Sequence, residues 1–284
     1  MSKVIKLFAF IAAFNSGLVA ISALAQSAKR IPSTCFAVAQ NIHSPELPVQ
    51  FASYSMPVAE SKYDVTISYQ GHSTYLIESP TGVVIATDFA GWLADPVTPN
   101  VVTMNHAHSS HYTDYPDPKI QTVLRGWGDA GTPADHQLMV GDVLIRNVTT
   151  DILRWTTVPD GNSIFIFEVA GLCIGHLGHL HHKLTENHYA KIGRLDVVMI
   201  AVDGGLTMSH LSAGEILKRL RSSVVLPMHV RSYGALPNFL TYLGEEFAVK
   251  RLRENKLVLS LLNLPKQPTV MLMPGVDNYR SPEE

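Results

Sequence analysis

An apolar run, Val101-Val102-Thr103-Met104, leads directly into Asn105-His106-Ala107-His108-Ser109-Ser110-His111. Three histidines within six residues at the end of a strand-like run constrain this chain more than any other feature. In an extended or looped backbone, positions i and i+2 can turn toward one point and i+5 can return to it. Neutral imidazole is the commonest metal ligand, and three of them suit zinc. The pattern recurs twice. Leu172-Cys173-Ile174-Gly175 delivers His176, with His179 three residues on, and Val224-Val225-Leu226-Pro227-Met228 delivers His229. Rigid strands position loop residues at their ends, so three such endings can build one site.

Composition narrows the setting. The chain has 284 residues, 46% hydrophobic and 16% charged, which is enough for a sizeable core and far from a disordered composition. Lys3 and Lys6 precede an apolar stretch that ends in Ala23-Leu24-Ala25, the pattern of a secretory signal peptide over residues 1–25. Asn15 and Ser16 interrupt that stretch and argue against a retained span. Cleavage removes two of the 22 basic residues and no acid, leaving 20 against 24, a net charge of −4. No basic stripe points to nucleic acid, and no later segment is long and apolar enough to span a membrane. The expectation is a periplasmic or secreted protein acting on a small molecule, with its oligomeric state open. Lys250, Arg251, Arg253 and Lys256 read as a solvated helix face. An oxidising compartment permits a Cys35–Cys173 disulfide, but the apolar run Val169 to Ile174 favours a buried thiol at Cys173.

Residues 26–60, with four prolines and little periodicity, read as an N-terminal extension to a domain over 61–284. From Asp64 the pattern is one of short strands: Val65 to Tyr69, Ser73 to Glu78, Val83 to Thr87, Val101 to Met104, a hairpin across Gly141-Asp142, then Ser163 to Val169 and Leu172 to Gly175. The second half alternates: helix Thr185 to Ile192, strand Leu195 to Val202, helix Ser212 to Arg221, strand Val224 to Pro227, strand Lys256 to Leu262. Meanders followed by β-α-β units suggest sheets covered by helices, an α/β (α+β) layered fold.

His106-Ala107-His108-Ser109-Ser110-His111 resembles the H-x-H-x-D-H signature of the metallo-β-lactamase superfamily. Gly71-His72-Ser73, the strand ending in Asp88, Gly175-His176-Leu177-Gly178-His179-Leu180 and Pro227-Met228-His229 are similar, in order, to motifs of its ascorbate-phosphate-lactonase-like and N-acylphosphatidylethanolamine-phospholipase-like branch. The resemblance covers about residues 62–232. It implies an αββα sandwich with metal at one edge. It also implies a first ion on His106, His108 and His176, and His111 and His229 at a second. Ser110 and His179 stand where the resemblance implies two aspartates. Six imidazoles and no carboxylate offset two close cations poorly, so one zinc ion is expected to bind firmly, a second weakly, with iron or manganese also open.

The resemblance implies metal-dependent hydrolysis, a metal-bound hydroxide attacking an ester, lactone, amide or phosphodiester. A neutral His179 would take the proton, and Asp88 would either orient a ligand or cap a turn. A non-catalytic periplasmic metal-binding protein is the alternative. His72 either lines the pocket or is a hydrogen-bonded core residue, and Asp203-Gly204-Gly205 either approaches the site or makes a tight turn.

Overall fold

The computed structural model describes residues 31–36, 62–129, 132–153 and 155–277. The expected signal segment lies outside them, as does most of the expected extension. The strands in chain order are β1 (Val65–Gly71), β2 (Thr74–Glu78), β3 (Val84–Ala86), β4 (Val101–Met104), β5 (Thr122–Arg125), β6 (Gln137–Val140), β7 (Val143–Leu153), β8 (Thr157–Val169), β9 (Leu172–His176), β10 (Val197–Ala201), β11 (Val224–Met228), β12 (Ala248–Arg251), β13 (Leu257–Leu259) and β14 (Thr269–Leu272). The helices are α1 (Glu186–Ile192), α2 (His210–Leu220) and α3 (Ala235–Leu243). Two sheets form, in the orders β13-β1-β2-β3-β4-β5 and β12-β14-β11-β10-β9-β8-β7-β6.

Side-chain alternation explains how the sheets stack. On β2, Tyr75 and Ile77 enter the large core, while Leu76 turns the other way into a smaller cluster with Ala86, Val102 and Met104. Phe89 and Ile120, from loops, complete that cluster, with Leu93, Tyr112 and Trp127 packed against it. Strands β10 and β11 are buried at every position and pair in parallel. Continuous Val/Ile/Leu runs of this kind mark strands covered on both faces. Ala213, Ile216 and Leu217 of α2 and Leu236, Phe239 and Leu243 of α3 join the same core. The α/β class is as expected. Among the described residues, all helices come after residue 185, and loops rather than a helix cover the small cluster on the first sheet.

Three readings change. The basic group near residue 250 is not on a helix: Lys250 and Arg251 lie on β12, an edge strand, where exposed charge discourages further pairing. Cys173 is not a thiol but is bonded to Cys35, 138 positions away. The buried Cys173 fits the apolar run either way, so local sequence could not separate the two states. Finally, β7 and β8 run well beyond the separate strands expected at Val143 to Val148 and Ser163 to Val169. They reach Leu153 and Thr157 across a register shift between Thr150 and Ile152.

Topology gathers the candidate residues. Strands β3 and β4 are parallel, as are β9, β10 and β11. Just past their C-terminal ends come Asp88, His106 to His111, His179, Asp203 and His229. Residues from separate strands therefore meet at one edge.

Candidate metal centre

Three residues at this edge adopt left-handed backbone: His72 (φ 49), Asp88 (φ 49) and His229 (φ 57). Such a conformation is unfavourable for residues with a side chain and is held by surrounding structure, commonly at functional sites. The supports are visible. The His229 amide donates to His72 O at 2.8 Å, and the Asp88 amide donates to Thr103 Oγ1 at 3.2 Å. The turn brings the His72 and His229 rings to 4.4 Å between centroids.

His72, His111 and His229 each offer a ring nitrogen, and the three atoms lie within 4.8 Å of one another. His111 and His229 are buried. Asp88, also buried, fixes the chemistry of His111. Its Oδ2 lies 2.5 Å from His111 Nδ1, and its Oδ1 accepts from the Asn105 amide at 3.1 Å. A carboxylate only accepts, so Nδ1 carries the proton and Nε2 keeps its lone pair. Burial would raise the Asp88 pKa, but the charge of His111 and its hydrogen bond bring it below the ordinary carboxylate value. His111 Nε2 and His72 Nε2 are both buried without a hydrogen-bond partner among the described residues. Orphaned buried nitrogens are costly unless something occupies the space between them. An ion there would satisfy both, so the residues fit a metal.

Asp203 faces His229. Its Oδ2 lies 3.2 Å from His229 Nδ1, close enough for the charge though without hydrogen-bond alignment. The amides of Gly205, Leu206 and Thr207 also donate to the Asp203 carboxylate. Burial opposes ionisation of Asp203, but the His229 interaction and these amides hold its pKa far below the usual range. Asp203 thus makes the tight turn and faces the site at once.

Around the trio stand the other imidazoles. The His179 ring lies 4.7 Å from His111, 5.1 Å from His229 and 5.7 Å from His106. Its Nδ1 is 2.9 Å from His181 Nε2. Burial, with the neighbouring imidazoles His111 and His229, pushes the His179 pKa far down, and the same causes take His72 to about 4. His106 Nδ1 donates to Gly161 O at 2.9 Å, which fixes its ring with Nε2 as the basic nitrogen. The exposed His108 stacks near it at 6.3 Å, and His108 Nδ1 is 2.9 Å from Ser110 Oγ. Ser110 therefore orients His108.

His176 is not in this group. It is fully buried; its Nε2 donates to Ser73 O at 2.8 Å, and its Nδ1 accepts from the Gly178 amide at 3.1 Å. Both nitrogens are spent on backbone, so the expected trio His106, His108 and His176 does not assemble. His72 takes a place the sequence reading left open, and Asp203 was also undecided. The signal for both was their position just beyond strands aimed at the same edge. What brings His72 to His229, the pairing of two turns 157 positions apart, has no local trace.

A cavity of about 220 Å³ opens over the cluster, lined by His106, His108, His179, His229 and Arg231 among others. The Beta-lactamase superfamily domain matches residues 66–229, more than half of the chain and the stretch that carries every histidine and aspartate above. The chain belongs to the metallo-β-lactamase superfamily. Members similar to it include a UPF0173 metal-dependent hydrolase of Myxococcus xanthus, 21% identical over 67% of this chain and 78% of that one. Another, from Anaeromyxobacter dehalogenans, is 25% identical over 63% of this chain and 78% of the relative. Among solved structures, a candidate Zn-dependent hydrolase of the metallo-β-lactamase superfamily from Thermotoga maritima is 27% identical. It aligns over 74% of this chain and 98% of its own, with a TM-score of 0.52.

Proposed function

We propose that this metallo-β-lactamase-fold chain is an exported metal-dependent hydrolase of a small ester, lactone, amide or phosphodiester. The observation that carries it is the convergence of His72, His111 and His229, with two buried nitrogens left to bind something. The metal-dependent hydrolase names of its relatives support the same reading. The motif order from Gly71-His72-Ser73 to Pro227-Met228-His229 supports placing it with the lactonase-like and phospholipase-like branch.

A divalent ion, for which zinc is the best match to an all-imidazole set, supplies Lewis acidity when bound. His72, His111 and His229 would hold it; His106 and His108 are placed to hold a second, weaker one. The rest falls to the chain. Asp88 fixes the His111 ring, Asp203 faces His229, and the two return the negative charge that imidazoles lack. His179, whose ring stands 4.7 Å from His111 and 5.1 Å from His229, is placed to accept a proton as water adds to the substrate. His181, against it, is placed to pass that proton outward. Arg231 lines the same cavity and is placed to pair with an anionic product such as a carboxylate. The bond broken is the acyl or phosphoryl bond to the leaving oxygen or nitrogen, and water supplies the OH to one product and the H to the other.

The N-terminal pattern ending in Ala23-Leu24-Ala25 and the Cys35–Cys173 disulfide support export. The test of function is elemental analysis of purified protein alongside hydrolysis of an ester, lactone, amide and phosphodiester panel. The expected result is at least one equivalent of metal and turnover of at least one class, both lost in His111→Ala. Stoichiometric metal with no turnover anywhere on the panel would favour the non-catalytic alternative.

A further inference from the structure

A second cavity, of about 370 Å³, adjoins the histidine cavity. His106 lines both and forms the partition between them. The second cavity is walled by Trp127, Ile152, Val158 and Pro159, with Asp129 and Asp160 also contributing. No lysine or arginine lines it among the described residues. Its size falls in the range of small-molecule sites, roughly 300–1,000 Å³. The long β7–β8 arm builds it. Past the register shift near Thr150, consecutive residues serve different spaces: Ile152 lines the apolar cavity and Leu153 the histidine cavity. Val158, which lines this cavity, and Leu153 and Leu206, which line the histidine cavity, are exposed apolar side chains.

We infer that this cavity is the specificity subsite. It takes an apolar acyl or aryl group, uncharged or cationic at its far end, while the scissile bond lies across His106 among the histidines. The inference rests on the hydrolase reading above and adds the substrate class to it. Three features support it. The cavity shares one fixed ring with the histidine cavity, since His106 lines both and its Nδ1 is tied to Gly161 O. Its walls are aromatic and aliphatic, so each methylene buried there favours binding. Among the described residues its charged lining is acidic, so a carboxylate at the far end of the chain would meet Asp129 and Asp160 and be rejected. Arg231, by contrast, lies only in the histidine cavity, where an anionic product forms.

The test has a kinetic and a binding arm on the metal-loaded full chain. In the first, kcat/KM is measured for p-nitrophenyl acetate, butyrate, hexanoate and octanoate. It is expected to rise about fourfold per added methylene until the cavity is filled. Val158→Glu should flatten that series, while Val249→Glu, on the exposed edge strand β12, should leave it as it is. In the second arm, calorimetry is expected to show octanamide binding at least tenfold tighter than the monoamide of suberic acid. Val158→Glu should weaken octanamide by a similar factor with metal content unchanged. Graded binding without hydrolysis would remove the hydrolase reading and leave the subsite standing. Hydrolysis with a flat chain-length series, and no binding difference between octanamide and the suberic monoamide, would overturn the subsite and leave the hydrolase standing.

Discussion

Asp88 shows most clearly how one side chain sets the properties of this centre. A carboxylate with His111 Nδ1 on one oxygen and the Asn105 amide on the other leaves no freedom in the His111 ring. Asp88→Asn keeps the shape but removes the charge and lets the amide donate to Nδ1, which favours the wrong tautomer. Metal affinity should fall about 10–100-fold, read by competition with a chelator of known affinity, with the folded structure retained. An unchanged affinity would make Asp88 a turn residue only. At this scale the sequence was partly legible. His106, His108, His111, His179 and His229 were recognisable because each follows a strand-like run. His176 follows one too, yet its ring meets Ser73 O and the Gly178 amide instead. Whether a strand-end histidine faces a cavity or a carbonyl depends on a neighbour far away in sequence, and spacing does not encode it.

Elements were legible where alternation or an unbroken apolar run was strong, as for β1, β2, β10 and β11. The helix start at Thr185 was also readable, since its hydroxyl accepts from the His188 amide as an N-cap should. Helix α3 was not expected, because Pro237 sits within Ala235–Leu243; as the third residue it falls in the first turn, where proline is tolerated. The outer part of the β7–β8 arm was missed because Thr149 to Gly161 keeps no alternation of apolar and polar residues and contains Pro159 and Gly161. Two ties anchor the region around β9. The disulfide holds residues 31–36 to it, and Cys35→Ser should cost about 2–5 kcal/mol by denaturant titration. Beside it, the buried Arg146 donates to Glu168 at 2.8 Å and to the Lys191 and Ile192 carbonyls, and Glu168 also accepts from Ser33 and the Thr34 amide. Glu168→Gln leaves a buried cation unpaired and should cost about 3–5 kcal/mol. Burial raises the Glu168 pKa, but Arg146 and Ser33 more than offset it, so the folded value lies below the unfolded one. The stabilisation is therefore complete above the unfolded value, about 4.5, and is lost as pH falls through the folded one. A melting-temperature series should steepen on that acidic side in the native protein and less in Glu168→Gln. Parallel curves for the two would contradict the assignment.

For the whole molecule, the fold class followed from the succession of meander and β-α-β patterns. Strand order, which decides the site, followed only from the family resemblance. The two sheets bring their parallel strands to a common edge, and that edge holds an unusual charge balance. Imidazoles face the space, while Asp88 and Asp203 stand behind two of them. This differs from the expectation of a site short of negative charge, because both carboxylates lie outside the histidine signature. The account depends on His72, His111 and His229 sharing one ion. Crystals of metal-loaded protein, measured on both sides of the metal's absorption edge, test this most directly. An anomalous peak about 2.0–2.1 Å from a ring nitrogen of each of the three is the expected result. A peak on His106 and His108 alone, with His72 turned away, would contradict it.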